Sequence, residues 1–218
     1  MYQHRDWQGD LLELPVNKVV CVGKNYSDHI KEMGGNAPVQ PLLFIKPETA
    51  LCDISQPVAI PDGLGSVHHE VELAVLIGLP LKNAEESRVV NAIAGYGIAL
   101  DLTLRDLQAE CKKAGEPWEK AKGFDGACPI SGFIPVSEFG DALQASLSLV
   151  INGEVRQEGN TRDMILPILP LISYMSRFFT LRPGDIVLTG TPSGVGPLNH
   201  GDSFTVALNG KEIHSRVL

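Results

Sequence analysis

Three acidic residues in two apolar segments are the part of this chain best suited to chemistry. Glu70 and Glu72 alternate within the apolar run 67–78, and Asp101 lies in a second apolar stretch. Residues two apart on a strand point to the same face, so the two glutamates project together and His68 lines up with them. Carboxylates that enter a core are costly unless they are paired or bound to a metal ion. The pattern predicts an oxygen-rich site for Mg²⁺ or Mn²⁺.

A candidate acid–base pair lies nearer the N-terminus. His29 and Glu32 are three residues apart, and they share a face if residues 25–33 form a helix. A carboxylate in that position orients the imidazole and raises its basicity. The residues alone leave two other interpretations open. The pair could be a surface ion pair on a short helix, and the acidic trio could include two solvated glutamates on an edge strand.

Two further segments carry donors for an anionic substrate. Arg105 and Gln108 are three residues apart on a helix predicted over residues 104–113, so they share a face. The turn 190–196 is rich in glycine, and its backbone N–H groups together with the hydroxyl of Thr191 suit a carboxylate or phosphate. An ordinary glycine-rich turn is the alternative interpretation of this segment.

Two lysines complete the set of candidate groups. Lys46 follows a strand predicted at residues 42–45, where it places an ammonium at the strand end. Lys122 lies in a predicted loop over residues 119–125. The chain has no G-x-S-x-G sequence, no G-x-G-x-x-G sequence after a strand and no P-loop, which argues against a serine hydrolase and a dinucleotide-binding protein.

The composition limits the classes of partner. The chain has 218 residues, 44% of them hydrophobic and 20% charged, as is usual for a globular protein. The net charge of −8 argues against nucleic acid or an anionic membrane as the main partner. The four cysteines form no C-x-x-C pair, and the N-terminus has no signal-peptide profile. These features predict a cytoplasmic protein with reduced thiols.

Turn signals and hydrophobic periodicity predict the architecture. The dipeptides Asn152-Gly153 and Asn209-Gly210 are strong signals for two-residue hairpin turns. Strands outnumber helices and do not alternate regularly with them, which predicts an α+β, mostly β fold. We expect a short N-terminal segment, residues 1–15, followed by one catalytic domain, residues 16–218. The helices are predicted at residues 25–33, 85–93, 104–113 and 164–178.

Taken together and in order, several segments resemble the fumarylacetoacetate hydrolase family. They lie between about residues 18 and 201, and one of them, Gly115-Glu116-Pro117-Trp118, is similar to the short acylpyruvase and oxaloacetate decarboxylase branch. The other segments are Gly23-Lys24-Asn25-Tyr26 with His29, Phe44-Ile45-Lys46-Pro47, His69-Glu70-Val71-Glu72-Leu73, Gly95-Tyr96 with Asp101, Arg105-Asp106, Lys122-Gly123-Phe124-Asp125, Arg156-Gln157, Asn160-Thr161, and the run from Pro183 to Pro192.

The resemblance implies a fold, an assembly and roles for particular residues. The fold is a β-roll, a mixed sheet wrapped on itself, and the assembly is a homodimer. The implied roles are Mg²⁺ ligands at Glu70, Glu72 and Asp101, a general base and its partner on a lid segment at His29 and Glu32, a lysine beside the metal at Lys122, and groups near the substrate carboxylate at Arg105, Gln108, Lys46, Thr191 and Gly190.

The resemblance and the acidic trio together predict a metal-dependent enzyme that acts on small 2-oxo acids through an enolate. Hydrolysis of acylpyruvates, decarboxylation of oxaloacetate, or both, are the main expectation. Keto–enol tautomerisation of oxaloacetate and isomerisation of a 2-hydroxydienedioate are the alternatives. A non-enzymatic ligand-binding protein is the minor alternative, in which the acidic trio is structural.

Overall fold

The structure is a computed structural model that describes residues 2–32, 34 and 38–218. The strands are β1 (Val19–Gly23), β2 (Leu42–Lys46), β3 (Leu51–Asp53), β4 (Val67–His69), β5 (Val71–Ile77), β6 (Ile93–Leu100), β7 (Thr103–Leu104), β8 (Cys128–Ile130), β9 (Ile134–Pro135), β10 (Ser146–Ile151), β11 (Glu154–Asn160), β12 (Ile186–Leu188), β13 (Gly196–Pro197), β14 (Ser203–Leu208) and β15 (Lys211–Arg216). The α-helices are α1 (Ser27–Glu32), α2 (Glu86–Val89), α3 (Arg105–Ala114), α4 (Glu119–Lys122), α5 (Val136–Phe139) and α6 (Ile168–Phe178).

A curled mixed sheet forms the centre of the fold. Its strands lie in the order β2-β1-β12-β5-β6-β8-β3, and β9 pairs with β6. The pairs β1–β12 and β3–β8 are parallel, whereas the other neighbours are antiparallel. A four-stranded sheet, β11-β10-β14-β15, and a three-stranded sheet, β13-β4-β7, complete the architecture. The predicted α+β, mostly β fold with a mixed-sheet β-roll is confirmed.

The central sheet is buried on both of its faces. Along β1, Val20 and Val22 belong to one apolar cluster, whereas Val19 and Cys21 belong to the other. A sheet that is covered on both faces reads as continuous apolar runs, and this explains why β5 is buried along its whole length. Glu72 lies on β5, so its carboxylate sits inside the core rather than on a solvated edge.

The apolar run around the two glutamates is not one strand, as its alternation had predicted. The run is divided at Glu70: β4 pairs with β7 and β13 of the small sheet, whereas β5 pairs with β6 and β12 of the central sheet. The chain changes sheets at this residue. His68 therefore does not continue the row of acidic side chains, and it lies on a different sheet from Glu72.

The other predicted elements differ from the structure mainly at their ends. The helix predicted over residues 104–113 is confirmed as α3, and it ends at Gly115, whose φ of 71° is the left-handed conformation of a helix stop. The helix predicted from residue 164 begins only after Pro167. Helix α2 is a short turn, because β6 already begins at Ile93. The helix predicted over residues 25–33 corresponds to α1, which begins at Ser27. Residue 33, the last of the predicted helix, lies outside the described residues.

The N-terminal residues pack along the central sheet. His4 is fully buried, and the backbone of Asp6 forms a bridge with Phe133 next to β9. The division into a leading segment, residues 1–15, and a catalytic domain, residues 16–218, stays a prediction. Among the described residues, every helix is too short or too polar to cross a membrane.

Candidate active site

The three acidic residues come together where β5 and β6 meet. The antiparallel register places Glu72 opposite Ala99, and the N–H of Asp101 donates to the carbonyl of Glu70 at 2.8 Å. One carboxylate oxygen from each of Glu70, Glu72 and Asp101 lies within 4.8 Å of the other two, and all three residues are buried. The alternative of two solvated glutamates on an edge strand is therefore excluded.

Two cationic side chains pair with part of this trio. Lys122 Nζ donates to Glu70 Oε2 at 2.8 Å and to Asp101 Oδ2 at 2.7 Å, and the guanidinium of Arg105 binds the other oxygen of Glu70. Burial acts to raise the pKa of Glu70, but Lys122 and Arg105 hold it well below its usual range. Although burial opposes it, Asp101 and Glu70 raise the pKa of Lys122 above its ordinary value, so the ammonium stays charged. Lys122 ends helix α4 and does not lie in the predicted loop.

Glu72 differs from its two neighbours because it has no cationic partner. Its Oε2 accepts the N–H of Gly190 at 2.6 Å, and no lysine or arginine in the described part of the chain pairs with it. Burial, followed by the negative charges of Asp101 and Glu70, raises its pKa well above the ordinary value. A divalent cation would supply the missing positive charge, and carboxylate oxygens suit a hard cation. The residues present thus fit Mg²⁺ or Mn²⁺.

Lys46 lies behind the acidic trio and not in front of it. Its side chain is 0% exposed, and Nζ lies 2.8 Å from Asp101 Oδ1. The same ammonium donates to the carbonyls of Leu102, Lys122 and Ala127. A substrate cannot contact an ammonium that is enclosed in this way. The resemblance placed Lys46 near the substrate carboxylate, and the structure corrects that position; we propose that Lys46 positions Asp101.

Replacing Lys46 with methionine is therefore expected to destabilise the protein by about 3–5 kcal/mol, because it removes the buried cation beside Asp101 Oδ1 and one hydrogen-bond donor from each of three carbonyls. Urea denaturation of the metal-free protein measures this change. The matched control is Lys120→Met, which removes an exposed lysine from the same region. A change in the free energy of unfolding that equals the control would contradict the positioning role.

The predicted acid–base pair is present on helix α1. His29 is buried, Glu32 is more exposed, and His29 Nδ1 lies 3.4 Å from Glu32 Oε2. When Nδ1 carries the proton that faces this carboxylate, the lone pair of Nε2 is free to accept a proton. His29 lines the same cleft as Glu70 and Glu72, so the imidazole and two carboxylates of the acidic trio face one substrate volume.

The glycine-rich turn binds carboxylates, as its composition had suggested, but they belong to the protein. The N–H of Gly190 holds Glu72, and the N–H of Gly194 donates to both oxygens of Glu32 at 3.0 and 3.1 Å. Both glycines have a φ of 95°. A Cβ at Gly194 would lie 1.9 Å from the Arg156 carbonyl oxygen, so a larger residue does not fit. One turn thus anchors both Glu72 of the acidic trio and Glu32, which pairs with His29.

Thr191 lines the cleft, but its hydroxyl is already bonded. It donates to the carbonyl of Val71 at 2.8 Å and accepts from Gln157 Nε2 at 2.8 Å. The oxygen of the same Gln157 amide accepts the N–H of Val71 at 2.9 Å and lies 3.0 Å from His69 Nδ1. The hydroxyl proton of Thr191 is thus not available to a substrate, and the substrate contact implied for Thr191 and Gly190 stays a prediction. Sequence reasoning gave Gln157 and His69 no role in the site.

Arg105 and Gln108 share one face of α3, as predicted. Gln108 Oε1 accepts from Arg105 Nη1 at 2.8 Å and from Lys112 Nζ at 3.2 Å. Two donors on the oxygen fix the orientation of the amide, so its NH₂ group is turned away from them. Since Gln108 is buried and lines the cleft, this NH₂ is a donor suited to a substrate carboxylate.

Two cationic residues at the cleft were not singled out from the sequence. Lys112 and Lys24 line it together with Trp118, and Lys112 Nζ lies 5.1 Å from the centroid of the Trp118 ring. Helical spacing could have found Lys112, because it is four residues after Gln108 and shares its face. Lys24 lies in one of the segments that resemble the family, but the resemblance implied no role for it; its backbone has a φ of 62°.

Comparisons with known proteins agree with this architecture. The profile of the fumarylacetoacetate (FAA) hydrolase C-terminal family matches residues 18–217. Oxaloacetate tautomerase YcgM of Escherichia coli is 66% identical over 219 residues, and the match covers 100% of both chains. A crystal structure from Yersinia pestis, assigned to the fumarylacetoacetate hydrolase family, is 75% identical with a TM-score of 0.99 and covers 100% of both chains.

A more distant solved structure carries ligands. Fumarylpyruvate hydrolase from Pseudomonas aeruginosa, in complex with Mn²⁺ and pyruvate, is 36% identical to this chain with a TM-score of 0.93. The match covers 100% of this chain and 95% of that one. A divalent cation and a small 2-oxo acid therefore bind together in a neighbour of the same fold.

Proposed function

This chain belongs to the fumarylacetoacetate hydrolase family, and on that premise we propose that it interconverts the enol and keto forms of oxaloacetate with a bound divalent cation. The observation that carries the proposal is that His29 lines one cleft with Glu70 and Glu72 of the acidic trio, within a chain that is 66% identical to an oxaloacetate tautomerase. The main expectation from the sequence was hydrolysis or decarboxylation. The name of this relative favours the alternative, tautomerisation.

The charges of the site support a substrate with two negative charges. Three carboxylates face three cationic groups, which belong to Lys46, Lys122 and Arg105. A divalent cation added to this set leaves it with two positive charges. Lys24 and Lys112 line the same cleft and add further positive charge, so a substrate with two carboxylates, such as oxaloacetate, suits the metal-loaded site. An uncharged or cationic substrate would leave the buried charges uncompensated, which is costly.

The reaction moves one proton at C3 and one at the oxygen of C2. A divalent cation held by Glu70, Glu72 and Asp101 would supply Lewis-acid polarisation of that oxygen and so stabilise the negative charge of the enolate. In the keto-to-enol direction, Nε2 of His29 accepts a proton from C3, and Glu32 stabilises the imidazolium that forms. Lys122 adds a positive charge beside the developing enolate. The imidazolium then gives this proton to the C2 oxygen of the enolate, which yields the enol. In the reverse direction, His29 takes the proton from that oxygen and returns it to C3.

The remaining groups of the cleft orient the substrate. The NH₂ group of Gln108 donates to the C1 carboxylate, and Arg105 holds Gln108 in place through its oxygen. Arg105 also adds positive charge on the same side of the cleft. Orientation of this kind keeps the C3 proton within reach of His29, as proton transfer over a hydrogen-bond distance requires.

The test compares three reactions in one preparation. We expect the protein with Mn²⁺ to accelerate the decay of the enol of oxaloacetate, followed by its ultraviolet absorbance, well above the rate in buffer. Hydrolysis of acetylpyruvate and release of CO₂ from oxaloacetate should be slower, and excess chelator should abolish the tautomerisation. Acceleration of acetylpyruvate hydrolysis alone would contradict the proposal.

Hydrolysis of an acylpyruvate is the second candidate, and the same base pair supports it. His29 with a free Nε2 can take a proton from water as well as from carbon. A neighbour of 36% identity is a fumarylpyruvate hydrolase, which shows that this fold also hosts hydrolysis. Lys122 would then stabilise the oxyanion. The position of α1 relative to the substrate decides between the two reactions.

Three other expectations remain proposals. We propose Mg²⁺ or Mn²⁺ as the cofactor, a small 2-oxo acid as the partner, and a homodimer as the assembly. The acidic trio and the Mn²⁺-bearing neighbour support the first two. The cytoplasmic location predicted from the cysteines and the N-terminus also stays a prediction.

A further inference from the structure

A pair of lysines stands at the mouth of the cleft without an acidic partner. Lys112 lies at the C-terminal end of α3 and Lys24 lies just after β1, and both line the cleft that holds the acidic trio. No aspartate or glutamate among residues 2–32, 34 and 38–218 pairs with either ammonium. The mechanism proposed above assigns neither of them a task.

The backbone of Lys24 has a conformation that is unfavourable for lysine, so the surrounding structure must impose it. Within the described part of the chain, four residues other than glycine have a positive φ, and three of them, Asn83, Asn152 and Asn209, are asparagines, which tolerate this conformation. Lys24 is the exception, with a φ of 62°. Such strain persists only where the surroundings impose it, and it concentrates at functional sites.

The surroundings of Lys24 hold it in this conformation. The amide NH₂ of Asn25 donates to the carbonyls of Leu166 and Thr189 at 3.0 and 2.9 Å, and its oxygen accepts the N–H of Leu166 at 2.9 Å. These bonds tie the segment to the loop before α6 and to the end of β12. The side chain of Lys24 is thereby carried into the cleft.

Lys112 is oriented toward the cleft by two contacts. Its Nζ donates to Gln108 Oε1 at 3.2 Å and lies over the ring of Trp118. Burial, followed by the charges of Arg105 and other cations, lowers its pKa from the ordinary value. The side chain of Lys112 is nevertheless exposed at the cleft. Its ammonium is repelled by Arg105, Lys122 and Lys24, although Glu70 attracts it, and an anion placed between Lys112 and Lys24 would relieve that repulsion.

We propose that Lys112 and Lys24 bind the carboxylate of the substrate that is remote from the ketone, so that the site selects four-carbon 2-oxo diacids over 2-oxo monoacids. This inference rests on the proposed function and extends it. The oxygen of Gln108 accepts hydrogen bonds from Arg105 and Lys112. In this proposal, the NH₂ group of Gln108 donates to the C1 carboxylate, and Lys112 lies beside the distal carboxylate. The two lysines are specificity residues, and proton transfer remains with His29.

The experiment compares oxaloacetate with its 4-methyl ester, which keeps the ketone and the C1 carboxylate but lacks the distal charge. In Lys112→Met and in Lys24→Met, we expect the KM for oxaloacetate to rise about tenfold, as the loss of one charge-assisted hydrogen bond predicts. The kcat should stay within about twofold, because the reacting atoms are untouched. The KM for the ester should not change in Lys24→Met. In Lys112→Met, where Arg105 still holds Gln108, it should rise much less than the KM for oxaloacetate.

Lys113→Met is the matched control. Lys113 follows Lys112 on the same helix, is exposed, and does not line the cleft, so its loss changes the net charge equally but should leave both KM values unchanged. An equal rise in KM for the acid and the ester would show that the lysines only support Gln108, and it would overturn the inference. Unchanged KM values in both variants would overturn it as well.

Failure of the proposed function gives a different result. A wild-type protein that does not accelerate tautomerisation of oxaloacetate overturns the proposed function. Calorimetric titration of the Mn²⁺-loaded protein with oxaloacetate and 2-oxobutanoate, two four-carbon 2-oxo acids that differ in the distal carboxylate, then decides the role of the lysines. Tighter binding of the diacid that disappears in Lys112→Met supports the inference, whereas equal affinities overturn it.

Discussion

Replacing Glu72 with glutamine is expected to lower kcat/KM for oxaloacetate tautomerisation by at least about 10³-fold. Glutamine keeps the shape of the side chain and an oxygen for the N–H of Gly190, but it removes the negative charge that a cation needs. Lewis-acid stabilisation of an enolate is worth several kcal/mol, and each 1.36 kcal/mol is a factor of about ten in rate. Kinetics at micromolar Mn²⁺ measure the loss, and calorimetry measures the accompanying loss of Mn²⁺ affinity.

The same substitution is expected to raise the melting temperature of the metal-free protein. Burial and the charges of Asp101 and Glu70 disfavour the ionised form of Glu72, so a neutral isostere removes a destabilising term. Added Mn²⁺ should stabilise the wild type but not the variant. Glu110→Gln, an exposed change on α3, is the control. Full activity of Glu72→Gln at micromolar Mn²⁺ would refute the assignment of Glu72 as a metal ligand.

Replacing His29 with alanine should reduce kcat for tautomerisation by about 10²–10⁴-fold, which is the usual range for a lost general base. Exchange of the C3 protons of oxaloacetate in deuterated water, followed by NMR, should fall by the same factor, because it depends on the same proton transfer. Mn²⁺ affinity should remain that of the wild type, since His29 is not among the residues of the acidic trio.

His214→Ala is the control for this measurement, because it removes an exposed histidine from β15, outside the cleft. Retained exchange of the C3 protons in His29→Ala would assign the base to another group. If His29→Ala abolished Mn²⁺ binding while Glu72→Gln did not, the roles of the two residues would be reversed.

Much of the site follows from local periodicity, and the errors have identifiable physical causes. Alternation along β5 and the apolar content of β6 predicted the three carboxylates, because neighbouring strands of one sheet bring their ends together. The same alternation wrongly made residues 67–78 one strand. Periodicity indicates which side chains are buried. It does not indicate with which sheet each half of the run 67–78 forms its hydrogen bonds. Glu70 marks that change, and no residue type signals it.

The lysines show a second limit. Lys46 and Lys122 each lie near the end of a strand or helix. Lys46 is behind Asp101, whereas Lys122 is between Asp101 and Glu70. Which side of the carboxylates each lysine occupies depends on long-range packing between β2, α4 and β6. By contrast, Lys112 was accessible to helical spacing, since it shares a face with Gln108.

The turn between Gly190 and Gly194 has a consequence for observing the protein in solution. Its two glycine N–H groups report on different events, because one is bonded to Glu72 and the other to Glu32. In an NMR spectrum, the resonance of the Gly190 amide would shift when a cation binds the carboxylate of Glu72. The Gly194 amide would instead shift, and exchange its hydrogen faster, when α1 moves away. The two amide signals thus distinguish binding of a cation at Glu72 from movement of helix α1, which carries His29. No added label is needed.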